Sequence, residues 1–213
     1  MPRTAAEIEY DDEALPNQMK AKELYRELES ALKPWMTNHG FKKQRASRLL
    51  FQKVVGDIYH TVWFQCDKWG WDPLAGGKFF VNFTVSESRD PESGARRDER
   101  LNYFLTDAEL VFARDFRDAI VGRIPKPPES YFETLQAQWG KYAASAAELA
   151  ETVRSEFEPE TMPYRRNHDF TLRYWQARDV RGWAALVESV LPRAVDQMQS
   201  WSLPPYPAKR ADR

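Results

Sequence analysis

Residues 32–87 read LKPWMTNHGFKKQRASRLLFQKVVGDIYHTVWFQCDKWGWDPLAGGKFFVNFTVSE. The clearest signal in them is at 78–85. Phe79, Val81, Phe83 and Val85 alternate with Lys78, Asn82 and Thr84, and Phe80 stands with the second set. Period-two alternation is what a strand with one buried face shows, because successive side chains point to opposite sides. Residues 58–66 alternate likewise, Ile58, His60, Val62 and Phe64 against Tyr59, Thr61, Trp63 and Gln65. Residues 48–55 form an earlier strand, and Gly56-Asp57 supplies the tight turn between the two. The stretch therefore predicts a helix, a stop at Gly40, and a meander of antiparallel strands.

Upstream, a helix is expected to begin near Asn17, after Pro16. Leu24, Leu28, Leu32 and Trp35 or Met36 fall on one face of it. Pro34 is expected to kink or end that helix, since it lacks an amide donor. Downstream, residues 86–100 are charged and hold Pro91 and Gly94, which predicts loop. Thr106 and Glu109 form a capping box that opens a second helix, with Phe112, Phe116 and Ile120 as its apolar stripe. The segment 124–128 breaks the chain with three prolines, and Ser130 with Glu133 repeats the box. Further helix is expected through Leu149, Val153 and Phe157. A strand is expected at 169–176. Asp179 is the expected cap of a last helix whose inner face is Trp183, Leu186, Val187, Val190, Leu191, Ala194, Met198 and Trp201, bent at Pro192.

The class that follows is α+β: a small antiparallel sheet of three to four strands packed by helices, with a helical C-terminal half. Residues 1–16 read as a flexible acidic arm, 17–201 as one domain, and 202–213 as a disordered Pro-rich tail.

The order of Leu32-Lys33-Pro34, Gly40-Phe41-Lys42-Lys43, Phe51, Gln65, Lys68-Trp69-Gly70, Phe80 and Val81-Asn82 resembles a bacterial family, the domain of unknown function numbered four thousand three hundred and four. The resemblance covers mainly residues 19–87, with an echo in 170–201. The chain departs from the family pattern by lengthening the step from Pro34 to Gly40 and the connection at 71–77. The resemblance implies an α+β fold and no particular activity.

Bulk composition narrows the function. The net charge is -1, with 31 Lys+Arg against 32 Asp+Glu, so no overall basic field announces nucleic acid. The single cysteine, Cys66, excludes an internal disulfide and a cysteine metal cluster. The N-terminus lacks the apolar core of a signal peptide, and no run reaches membrane-spanning length, so the expected location is cytoplasmic with no membrane partner.

Motif chemistry is sparse. Gly76-Gly77-Lys78 lacks P-loop spacing, and Phe79 stands where a magnesium-binding hydroxyl belongs. His39, His60 and His168 have no ligand partner at motif spacing. No nucleophile elbow is present, and Cys66 ends an apolar strand. A metal-dependent nuclease would want converging acids; Asp57 and Asp67 are candidates, without an acid-x-Lys spacing. No cofactor is expected.

Binding features are stronger. Trp69 and Trp71 share a long inter-strand connection with Lys68, and tryptophans anchor interfaces. Tyr59, Trp63, Gln65 and Asn82 share the amphipathic face of the sheet. Lys42, Lys43, Arg45, Arg48 and Lys53 make a basic run without an acid. The expected function is thus a non-enzymatic intracellular binding protein with a protein partner, an immunity or antitoxin-like role being one concrete form. The alternative is a nucleic-acid-associated protein or nuclease that uses the basic run and the hairpin acids.

Overall fold

Leu24, Leu28, Leu32 and Met36 recur every fourth residue, and helix α1 (Ala21–Asn38) turns all four fully inward. The computed structural model describes residues 19–67, 76–124, 129–130, 133, 137 and 170–203. The helix starts later than Asn17, with the Lys20 amide donating to the Glu23 carboxylate at 2.9 Å. Pro34 does not end it. Ser30, whose carbonyl loses its amide partner, is exposed, so water can satisfy that group. The chain stops at Gly40, where φ is +82°, a conformation that costs glycine little.

Six strands follow: β1 (Lys42–Lys43), β2 (Leu49–Val55), β3 (Ile58–Cys66), β4 (Gly77–Ser86), β5 (Arg96–Arg100) and β6 (Leu172–Tyr174). They form one antiparallel sheet in the order β1-β2-β3-β4-β5, with β6 also on β4. β5 lies along residues 82–86 of β4 and β6 along 77–79, so the two share one edge end to end. The sheet is therefore larger than the three to four strands expected. The additions are β1 and β5. Five consecutive charged residues give β5 no alternation to read, and its ladder to β4 holds it instead. The expected strand at 169–176 is present as the shorter β6.

Helix α2 (Asp107–Val121) opens on the expected box. The Glu109 amide donates to Thr106 Oγ1 at 3.3 Å, and the Thr106 amide donates to the Glu109 carboxylate at 2.7 Å. Its inner stripe differs from expectation. Leu110, Ala113, Arg117, Ile120 and Val121 are buried, whereas Phe112 is 49% exposed. Helix α3 (Ala177–Gln199) buries Trp183, Leu186, Val187, Val190, Leu191, Ala194 and Met198, with Trp201 half-buried just beyond it. Its cap is Gln176 rather than Asp179. Asp179 sits three residues in and accepts the Trp175 and Gln176 amides at 2.9 and 2.8 Å. Gly182 lets α2 approach: a β-carbon there would lie 2.3 Å from Phe116 Cζ.

All three helices belong to one core with the sheet face that carries Phe51, Val62, Phe64, Phe79, Val81 and Phe83. No helix among the described residues is long and apolar enough to cross a membrane. Residues 129, 130, 133 and 137 are helical. The acidic arm, the Pro-rich tail and the rest of the expected helical stretch through Phe157 lie outside the described residues.

Candidate functional site

Because β-strand side chains alternate, the face opposite the helices is set by register. Trp63 pairs with Asn82, Gln65 with Phe80, Tyr59 with Ser86, and Gln52 with Thr61. Four of the expected binding residues, Tyr59, Trp63, Gln65 and Asn82, thus do share one face. They differ in access. Trp63 is buried, Tyr59 and Asn82 are half-buried, and Gln65 is exposed.

Several polar groups of this face are wired together, while the Asn82 side-chain amide nitrogen is buried without a partner among the described residues. The Trp63 indole donates to Thr84 Oγ1 at 3.0 Å, and the Thr84 hydroxyl donates to Asp98 at 2.9 Å. Arg96 Nε donates to the same carboxylate at 2.6 Å. Gln52 Nε2 donates to Thr61 Oγ1 and to the Arg89 carbonyl, both at 2.9 Å. The last bond brings the β4–β5 connection back across the sheet to β2. The centre of the face is consequently filled by its own side chains, and the open space lies at its rim.

That rim carries three arginines, Arg45, Arg48 and Arg89, beside the acids Glu87, Asp90 and Glu92. Residues 44–48 join β1 to β2 and carry Arg45 and Arg48; residues 87–95 join β4 to β5 and carry Arg89. The two connections are tied to each other. Arg89 Nη2 donates to Gln44 Oε1 at 2.6 Å, and Arg48 donates to the Glu92 carboxylate. The Arg48 guanidinium also lies 4.4 Å over the Trp63 ring, a cation–π contact that fixes its plane. Between the connections is an open cleft of about 750 Å³, lined by Gln44, Arg45, Ser47, Arg48, Arg89 and Asp90 among others. A second cleft, of about 610 Å³, lies on the other side of residues 46–48 against α1. There Lys43 meets Glu29 at 2.5 Å. Lys42 is exposed; neither it nor Arg45 has a carboxylate partner among the described residues.

Lys68, Trp69 and Trp71 lie outside the described residues. The strand ends that hold their connection are clear, however. β2 begins at Leu49 opposite Phe64, so the connection leaves Cys66 at the same end of the sheet as residues 44–48.

The reactive groups are arranged quietly. Burial pushes the Cys66 thiol above its ordinary value, which keeps it protonated and a poor nucleophile. The Cys66 amide donates to Tyr25 Oη at 3.2 Å, and burial pushes that phenol up to about 12. His39 stacks on Trp35 at 3.8 Å and bonds the Trp35 carbonyl through Nδ1 at 2.8 Å. Asp57 and Asp67 sit beyond opposite ends of β3, so they are separated by about 33 Å at the usual strand rise. They do not converge. Among the described residues no group of three or more His, Cys, Asp or Glu can hold a metal ion.

Sequence reading found Lys42, Lys43, Arg45 and Arg48, because they are contiguous. It missed Arg89, Gln44 and Glu92. Arg89 and Glu92 lie in a charged loop whose spacing does not show that it folds back over β2, and Gln44 is a neutral residue inside the basic run. Comparison of the chain with family models, with curated proteins and with solved structures yields no match.

Proposed function

We propose that this chain is a non-enzymatic binding protein whose basic rim receives an acidic segment of a protein partner. An immunity or antitoxin-like role, in which the bound partner is neutralised, is the concrete form. The observation that carries the reading is the convergence of Arg45, Arg48 and Arg89 on one open cleft from two connections tied to each other. Guanidinium groups offer planar, paired donors that match carboxylates. Holding them in place before binding lowers the ordering cost of association.

The test is calorimetric titration of the full chain with a ten-residue polyglutamate peptide. The double variant Arg45→Glu, Arg89→Glu is expected to lose about tenfold or more in affinity, since opposed charges are replaced by like ones. Trp71→Ala is measured with the same probe, with circular dichroism as the fold control. Equal affinity for the wild type and the double variant would contradict the reading.

A further inference from the structure

The cleft's best-placed cation is already occupied by the chain's own acid. Arg48 lies 4.4 Å over the Trp63 ring, and its Nη2 donates to the Glu92 carboxylate. The Arg48 side chain is 25% exposed and that of Glu92 is 51% exposed, so the arginine is the fixed member and the glutamate the solvent-facing one. Glu92 reaches Arg48 across 44 residues of sequence, from a connection whose backbone is organised without the Glu92 side chain. Asp90 Oδ1 accepts the Glu92 amide at 3.1 Å, and the Ser93 hydroxyl donates to Asp90 Oδ2 at 2.7 Å. Arg96 bonds the Glu92 carbonyl. The carboxylate can therefore swing away while the turn that carries it stays formed.

We infer that Glu92 is a built-in competitor for the basic cleft: its carboxylate holds the place on Arg48 that an incoming carboxylate takes. The inference rests on the proposed acidic partner. It adds a mechanism to it, displacement of an internal carboxylate by an external one. Arg45 and Arg89 meet no internal carboxylate among the described residues and provide the first contact; Arg48 is uncovered second. The groups that face Glu92 are Arg48, Asp90 and Arg96. The bond from Arg48 holds the Glu92 carboxyl below its ordinary value, so the competitor stays charged at neutral pH.

Displacement also has a small cost. An ion pair this exposed is weak, so a partner can break it readily. Removing the competitor should thus strengthen binding by a small, measurable factor.

The experiment titrates the decaglutamate peptide into the wild type, Glu92→Gln, Arg48→Met and the double variant, by calorimetry in low-salt buffer, with a decaglutamine peptide as control. Glu92→Gln is expected to bind about threefold more tightly than the wild type, in line with the strength of an exposed pair. Adding the change to Arg48→Met is expected to give no further gain, because the cation it uncovers is gone. Thermal melting of each variant checks that the connection remains folded. Binding that is equal in the wild type and Glu92→Gln overturns the competitor role and leaves the acidic-partner reading standing. A gain that persists without Arg48 also overturns it, by assigning the effect to general charge. No binding of decaglutamate by any of the four proteins overturns both.

Discussion

At the scale of single residues, His60 shows how position on the sheet sets chemistry. It faces the core side of β3, is 5% exposed, and stands opposite Lys53 in register. Burial, reinforced by the Lys53 ammonium, pushes its imidazole below the ordinary value. The unfolded chain then binds a proton that the folded one refuses. Stability therefore falls as pH drops below about 6.5, the usual histidine value, and keeps falling until the depressed folded value is passed. The melting temperature is expected to decline between pH 7 and 5.5, and His60→Gln is expected to flatten that slope. An unchanged slope in the variant would contradict the assignment. Residues also mark where reading from sequence stops. Lys42, Lys43 and Arg48 were visible as one basic run, because neighbours in sequence stay neighbours on a short edge. Arg89 and Glu92 were not, since they meet Gln44 and Arg48 across 45 and 44 residues. No local pattern encodes such a contact.

At the scale of elements, α2 and α3 divide clearly by burial. Leu191 of α3 is fully buried in the core, whereas Phe112 of α2 is 49% exposed. Leu191→Ala is expected to cost about 2–5 kcal/mol, the sum of lost transfer energy and a new cavity. Phe112→Ser is expected to cost less than Leu191→Ala, because about half of its ring is already in solvent and what it gives up is the stack on Phe116 at 5.8 Å. Chemical denaturation of both variants checks the contrast, and a larger loss for Phe112 would place α2 the other way round. The contrast also explains the misread stripe. Phe112 and Phe116 have helical spacing, but the buried row runs through Arg117, whose long apolar stem can lie inward while its head pairs with Asp118 at 2.7 Å. Strands β2, β3 and β4 were legible because apolar residues alternate with polar or amphipathic ones, although Gln52, Thr61, Trp63 and Thr84 on the second face are buried as well. β5 was not, because its five charged residues carry no such contrast and the ladder to β4 alone makes it a strand. Pro34 and Pro192 were expected to disturb their helices. Both lie exposed, where a lost backbone bond is replaced by water, and α1 and α3 run on through them.

At the scale of the whole molecule, helices α1, α2 and α3 pack on one face of the sheet that the described residues form. The other face is a hydrogen-bonded support edged by cations. The net charge of -1 means that the arginine cluster at the rim is a local feature, with no long-range field to draw a polyanion from a distance. Few cations also means few released counterions, so nucleic acid gains little from this surface at physiological salt. On the proposed reading, a carboxylate-rich peptide takes paired donors from Arg45, Arg48 and Arg89 at close range. The central claim is that choice of ligand. Its most direct measurement is a side-by-side titration, at physiological salt, of the full chain with decaglutamate and with a ten-nucleotide single-stranded DNA. The account predicts saturable peptide binding that weakens as salt rises, and no DNA binding in the micromolar range. Tight, salt-sensitive DNA binding that exceeds the peptide's, and that is lost on replacing Lys42 and Lys43, would contradict it.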